Sequence, residues 1–146
     1  MTHDPITRAT HALLRIASGL LFFCPGALKI FGWFGGMPAG FELTPLLRAA
    51  GWMEVIGGPL LMLGLFTRPV AFLLSGEMAV AYFHSHFPRG FWPIQNNGQP
   101  AALLCFIFLF LSAAGAGPLS VDEWLAKRRG LRAPRAMTFV QGGPHT

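Results

Sequence analysis

The segment Leu103–Leu111 reads LLCFIFLFL, and a helix built from it has no polar side chain on any face. A helix of a water-soluble bundle keeps a polar stripe toward solvent. This segment lies inside an uncharged run at residues 99–119. About 20 such residues are enough to cross the ~30 Å hydrocarbon core of a bilayer. The segment therefore predicts a helix that lies in lipid.

The composition of the whole chain supports the same prediction. Of its 146 residues, 53% are hydrophobic and only 12% are charged, whereas about 25% are charged in a typical soluble domain. The mean hydropathy is +0.50. A chain of this length has room for one domain. Because that domain has too little charge to cover a surface in water, the lipid bilayer is its predicted main partner.

Three more apolar runs precede this one, separated by turn-forming residues. Together the four runs predict an all-α fold, a four-helix transmembrane bundle that covers residues 11–122. The predicted spans are about 11–31, 44–66, 69–87 and 99–119. Residues 1–10 are predicted to be an N-terminal tail, and residues 123–146 a basic cytoplasmic tail.

The basic residues predict the orientation in the membrane. With four spans, both termini and the turn after the second span lie on one side, and cytoplasmic loops are enriched in Lys and Arg. That side holds eight basic residues, namely Arg8, Arg15, Arg68, Lys127, Arg128, Arg129, Arg132 and Arg135. The other side holds three, namely Lys29, Arg48 and Arg89. Both termini are therefore predicted to be cytoplasmic.

No aromatic residues alternate with the basic ones in the tail, so no nucleic-acid partner is predicted.

Two acids, Glu54 and Glu77, fall near the middle of the second and third predicted spans. The turn between these spans is short, so the two helices are predicted to be antiparallel neighbours with the carboxyls at similar depth. A charge at the bilayer centre costs a few kcal/mol, so each acid must face the bundle interior. Two neighbouring carboxyls at low dielectric would share at least one proton. The pair is a candidate ligand- or proton-binding site, and structural hydrogen bonding between helices is the alternative.

Three further polar residues are candidates for the same site. Arg15 and Lys29 lie near opposite ends of the first span, where each could neutralise an acid or extend its charge to the nearer headgroup layer. His86 ends the third span and could exchange protons at the interface. It forms a His-x-His pair with His84, but two residues this close along a helix point to different faces. No further ligands lie nearby, so no metal site is predicted.

Cysteines and helix breakers add two weaker expectations. Cys24 and Cys105 are predicted at similar depths in the first and fourth spans and could meet if these spans touch. Without C-x-x-C spacing, inert packing is the simpler interpretation. Pro25 and the Gly-Gly-Pro sequence at 57–59 interrupt the first two spans, and a mid-helix proline frees a carbonyl that a neighbour or water must satisfy. These breakers predict a small polar cavity beside Glu54, in the outer half of the membrane.

The order and spacing of these features resemble the DoxX family of small bacterial membrane proteins. The resemblance covers about Leu13 to Asp122 and includes the segments LLRIASGLLFFCPGALKIFGWFGG, GWMEVIGGPLLMLGLFTRP and GEMAVAYFHSHFPRGFWPIQNNGQ. The matching positions include Arg15, Gly19, Gly26, Lys29, Glu54, Gly57, Gly58, Gly64, Glu77, His86, Asn97, Gly98 and Asp122. Asn97 thereby joins the candidate site residues. Family members often carry Glu where this chain has Gln99, so a role of that acid would here fall to a neutral hydrogen-bonding group.

The resemblance implies a multi-pass protein of the bacterial cytoplasmic (inner) membrane that takes part in quinone-linked or oxidative-stress-linked redox processes. No cofactor is evident from the chain, which has no haem-ligand pair, nucleotide motif or cysteine cluster. A quinone is the one candidate cofactor. We therefore expect a redox-associated protein whose acids bind a quinone or exchange protons. The alternatives are a non-catalytic subunit or scaffold for a partner oxidoreductase, a homo-oligomer and, ranked lower, a small transporter. No residue pattern assigns an enzymatic reaction.

Overall fold

The computed structural model describes residues 4–130, and this part of the chain is helical without strands. Its α-helices are α1 (Pro5–Phe31), α2 (Pro45–Leu63), α3 (Thr67–Ala81), α4 (Gln99–Ala114) and α5 (Val121–Arg128). Helix α3 continues through a π-helical turn, Tyr82–His86, and a 3-10 turn, Phe87–Arg89. Residues 1–3 and 131–146 lie outside the described residues, and with them Arg132, Arg135 and most of the predicted basic tail.

Helices α1 and α2 begin and end with the same local chemistry. The side chains of Asp4 and Thr44 accept hydrogen bonds from the first turns, and a proline follows each. The backbone N–H of Thr7 holds the pKa of Asp4 below its ordinary value. Both helices end at a glycine in the left-handed region, Gly32 with φ 68° and Gly64 with φ 67°. Local sequence therefore fixes the length of these two helices.

Glycines bring α1 and α2 into backbone contact. A Cβ added to Gly19 would lie 2.8 Å from the carbonyl oxygen of Gly58, and one added to Gly26 would lie 2.9 Å from that of Gly51. The two glycines on each helix are seven residues apart, which places them on one helix face. Small residues let helices approach closely where no hydrophobic effect drives them together. The α1–α2 pair is therefore a tight antiparallel hairpin.

Helices α3 and α4 form a second pair, which packs on the first. The Ser75 hydroxyl on α3 donates a 2.9 Å hydrogen bond to the backbone carbonyl of Cys105 on α4. The rings of Phe22 on α1 and Phe108 on α4 meet edge to face with centroids 4.9 Å apart. One buried apolar cluster draws on all four long helices and includes Phe22, Leu61, Leu74, Phe108 and Leu111. Cys24 and Cys105 are both free and half-buried.

The outer surface of these helices is apolar. Leu21, Ile56, Phe72 and Phe106 are all more than half exposed. Helices α1 and α2 are each long and apolar enough to cross a membrane, and α4 is apolar but shorter, with 16 residues. Helix α4 ends at Ala114 because a run of helix breakers, Gly115–Pro118, follows with φ 84° at its first residue.

Candidate functional site

A cavity of about 270 Å³ lies between α2 and α3, and we call it the α2–α3 cavity. The first half of α2, the end of α3 and one residue of α1 line it. Its walls are mainly apolar and consist of Leu46, Leu47, Ala49, Ala50, Met53, Met78, Val80 and Ala81. The polar lining side chains are Lys29, Glu54, Glu77, His84 and Ser85. The sequence predicted a polar cavity beside Glu54; the observed cavity lies there, but only these few polar groups interrupt an apolar wall.

Lys29 and Glu54 form a buried ion pair at the edge of this cavity. The Nζ atom of Lys29 lies 2.7 Å from each carboxylate oxygen of Glu54. Their side chains are 18% and 5% exposed. The nearby Gly26 allows this contact, because a Cβ at that position would lie 2.6 Å from the Cβ of Glu54. A buried carboxylate needs such a cation to remain charged, and Lys29 supplies one to Glu54.

Glu77 lies on the facing wall and is in a different state. Both of its carboxyl oxygens are buried, and neither has a hydrogen-bond partner in the described part of the chain. Leaving a buried polar group unpaired costs about 1–3 kcal/mol, and a bare charge costs far more. The carboxyl is therefore most stable in its neutral, protonated form. A neutral carboxyl offers one O–H donor and one carbonyl acceptor to a molecule in the cavity.

The π-helical turn brings His84 and Ser85 to the same cavity. His84 follows Glu77 by seven residues, and its side chain is exposed to the outside of the protein. Turns of this kind appear mostly as local insertions in α-helices and are frequent at functional sites. His84 therefore connects the cavity with its surroundings.

A hydrogen bond between His86 and the loop before α4 holds the end of α3 in place. The Nδ1 atom of His86 lies 3.0 Å from the carbonyl oxygen of Asn96. The buried Asn96 side chain donates to the carbonyl of Gly90 at 2.7 Å and accepts from the N–H of Gly98 at 2.8 Å. Asn97 is exposed, with φ 58°, and does not line the cavity. In this loop the buried, hydrogen-bonding residue is Asn96.

Arg15, on α1, is fully buried beside the C-terminal end of α2, which is the end away from the α2–α3 cavity. Its Nη1 atom donates to the carbonyl oxygens of Leu61 at 2.7 Å and Met62 at 2.6 Å, and its Nη2 atom donates to that of Leu119 at 2.9 Å. The last carbonyls of a helix have no partner within the helix. Arg15 therefore caps the end of α2, and its hydrogen-bond partners are backbone carbonyls and not Glu77.

Asp122 caps the beginning of α3 in a matching way. Its two carboxylate oxygens accept hydrogen bonds of 2.9 Å from the backbone N–H groups of Phe66 and Thr67. Its own N–H donates to the carbonyl of Gly64 at 3.0 Å. We call Arg15 and Asp122, with these backbone partners, the Arg15 cluster. The cluster ties α1 and α5 to the turn between α2 and α3.

The structure thus divides the candidate residues predicted from the sequence. Lys29, Glu54 and Glu77 come together in the α2–α3 cavity. Arg15, His86 and Asn97 lie elsewhere, in capping and loop contacts. His84 was passed over as a site residue in favour of His86, although its seven-residue spacing from Glu77 places the two on one helix face.

Comparison with known proteins places this chain in a family. The sequence model of the DoxX family matches residues 10–87, which contain most of α1 and all of α2 and α3. An uncharacterized protein of Haemophilus influenzae is 40% identical over an alignment of 122 residues that covers 80% of this chain and 91% of that protein. No solved structure matches the chain significantly. The chain belongs to the DoxX family of membrane-associated proteins.

Proposed function

We propose that the protein crosses the bacterial cytoplasmic membrane four times, with both termini cytoplasmic, and that its α2–α3 cavity binds a quinone or a similar lipid-soluble carbonyl compound. Protons are exchanged there through Glu77 and the Lys29–Glu54 pair. One observation carries the proposal: four ionisable side chains converge on a cavity whose walls are otherwise mainly apolar. Mainly apolar pockets with a few convergent polar groups are the usual form of small-molecule sites.

The donors in the cavity suit a quinone. A quinone has a flat apolar ring, which the methionine and leucine walls suit, and carbonyl oxygens that only accept hydrogen bonds. Lys29, protonated Glu77 and His84 are the side chains that would hold such oxygens. A bound quinone would supply the redox chemistry. The protein would supply orientation, the exclusion of water and sites for protons.

The two carboxyls suit different steps of proton exchange. Glu77 has no partner and favours the protonated form, so it can donate. Glu54 is held ionised by Lys29 and can accept. Carboxyls in unlike environments commonly divide acid and base roles in this way. The exposed side of His84 offers a route for protons between the cavity and the aqueous side.

Depth in the helices supports the position of the site within a membrane. Glu54 follows the start of α2 at Pro45 by nine residues, and Glu77 follows the start of α3 at Thr67 by ten. At ~1.5 Å per residue, both carboxyls lie about 14–15 Å from a helix end. Such a depth is close to the middle of a ~30 Å hydrocarbon core.

A binding titration tests the site. A tail-less benzoquinone would be added to the purified protein in detergent, and its Kd obtained from quenching of tryptophan fluorescence. We expect Glu77→Leu, which removes the O–H donor, and Glu54→Gln, which removes the charged partner of Lys29, to weaken binding at least about tenfold, as for the loss of a buried hydrogen bond to an ionisable group.

Glu42→Gln is the matched control for Glu54→Gln, because Glu42 undergoes the same chemical change on the exposed loop before α2. Its Kd should equal that of the wild type. An equal Kd in all three variants, or no saturable quenching of the wild type, would contradict the proposed site.

Reporter fusions test the orientation. Alkaline phosphatase joined after Gly40 or Asn96 should be active, because both positions would lie outside the cytoplasm. The same enzyme joined after Gly130 should be inactive. The opposite pattern would reverse the proposed topology.

A further inference from the structure

A second cavity adjoins the α2–α3 cavity along the same two helices. It measures about 240 Å³ and contains no charged side chain. It is lined by Trp52, Met53, Ile56, Gly57, Leu60, Val70, Leu73 and Leu74. Met53 lines both cavities. The two spaces therefore meet at this residue, and the ionisable groups lie at one end only.

We infer that the two cavities form a single groove for a molecule with a neutral polar head and one hydrocarbon tail. This inference rests on the proposed function and adds the tail to it. The head occupies the α2–α3 cavity beside Glu77, and the tail lies in the second cavity. The α2 residues that line the second cavity run from Trp52 to Leu60, which at ~1.5 Å per residue is about 12 Å of helix. A groove of this length accommodates a tail of several carbons.

The walls of the second cavity open toward the surroundings of the protein. Trp52, Ile56 and Leu73 are 47%, 56% and 61% exposed. Gly57 narrows the gap between the helices at the floor, because a Cβ there would lie 2.8 Å from the methyl carbons of Leu74. In a bilayer this opening faces the lipid. The ligand would therefore enter sideways from the membrane.

The charges at the head end select a neutral head. Lys29 is already neutralised by Glu54, and Glu77 lies on the facing wall. An anionic phosphate head would meet two carboxyls and one occupied cation, which disfavours ordinary phospholipids. A carbonyl-bearing head would accept hydrogen bonds from Glu77 and Lys29 without adding charge. The groove is thus suited to a prenyl or alkyl quinone and not to a phospholipid.

The test compares two quinones with the same ring, one without a tail and one with a decyl tail. Their Kd values would be measured in detergent by tryptophan quenching for the wild type, Leu73→Phe and Leu103→Phe. Leu73 lines the groove, whereas Leu103 has the same exposure on α4, 63% against 61%, and does not line it. Neither substitution changes a tryptophan. Partition of the tail into micelles is the same for all three proteins.

We expect Leu73→Phe to weaken binding of the decyl quinone at least about fivefold, as for overpacking of a filled site, and to leave the tail-less Kd unchanged. Leu103→Phe should change neither value. Equal decyl affinity in the three proteins, with tail-less binding that still depends on Glu77, would overturn the tail groove and leave the proposed function standing. Failure of both quinones to bind the wild type would overturn both.

Discussion

At one end of α2 the guanidinium of Arg15 is fully buried and donates to backbone carbonyls of α2 and of the loop before α5. Toward the other end the carboxyl of Glu77 is also buried, yet no described residue pairs with it. In the Arg15 cluster both terminal nitrogens of the guanidinium are paired with backbone carbonyl oxygens. The α2–α3 cavity leaves about 270 Å³ beside Glu77.

This difference separates a structural polar cluster from a binding site. Buried polar groups in folded proteins are nearly always paired. A buried charge that is paired with backbone groups stabilises the fold and has no free capacity for a ligand. A buried acid that lies unpaired beside a cavity destabilises the free protein slightly and gains its partner when a ligand binds. Substitutions at the two ends should therefore change different properties.

The largest loss of stability is expected for Arg15→Leu. The substitution leaves the carbonyls at the end of α2 without their donor and should lower the free energy of unfolding by about 3–5 kcal/mol. The thermal midpoint in detergent measures this loss. Arg8→Leu is the control, because Arg8 makes only an exposed 3.5 Å ion pair with Glu123 and should contribute less than about 1 kcal/mol. Equal midpoints for the two variants would contradict the importance of the Arg15 cluster.

Gly58→Ala should be the next most destabilising change. Its new Cβ would lie 2.8 Å from the backbone oxygen of Gly19, so α1 and α2 must move apart, at a cost of about 1–3 kcal/mol. Gly76→Ala makes the same substitution on α3, where a Cβ meets nothing within 4 Å. The midpoint of this control should stay the same or rise. A falling midpoint in both variants would mean that helix contact is not the cause.

Asp122→Ala should have a smaller effect of about 1–2 kcal/mol, because it removes the side-chain cap of α3 but leaves the backbone carbonyl partners of Arg15 in place. Asp122→Asn keeps one carbonyl oxygen and should recover part of the loss. Thermal midpoints of the two variants measured side by side test this order. Equal losses would show that the charge, and not the acceptor geometry, stabilises the turn.

Glu77→Gln should have the smallest effect on stability, within about 0.5 kcal/mol, because the carboxyl has no partner to lose. Its thermal midpoint should match that of the wild type. A strong drop of the midpoint would place Glu77 with Arg15 among the structural residues.

The sequence predicted which charged residues would meet in the α2–α3 cavity but not the structural role of Arg15. The uncharged run at 99–119 indicated a helix that suits lipid. The charges at Lys29, Glu54 and Glu77 indicated a place where polar side chains meet. The role of Arg15 could not be predicted, because its partners are backbone carbonyls and these leave no pattern in the sequence. The same applies to Asp122, which pairs with backbone N–H groups 55 and 56 residues earlier.

Two signals in the sequence were available but weak. The seven-residue spacing of Gly19 with Gly26 and of Gly51 with Gly58 indicates the helix faces that touch. Glycine has several other roles in membrane helices, so this spacing alone does not choose the partner helix. The seven-residue spacing of His84 from Glu77 is the second signal. It is weak because the π-helical turn, which has no sequence signature of its own, begins between the two residues and changes which helix face each later side chain occupies.

Photolabelling tests most directly whether the α2–α3 cavity is the ligand site. A photoreactive benzoquinone would be irradiated with the protein in membranes, and the labelled peptides identified by mass spectrometry. The label should lie within residues 46–54 of α2 and residues 77–85 of α3 and the following π-helical turn, and unlabelled quinone or Glu77→Leu should reduce it at least about tenfold. A label confined to the Arg15 cluster and the loop at residues 115–122, or one spread evenly over the lipid-facing helices and unaffected by Glu77→Leu, would contradict the account.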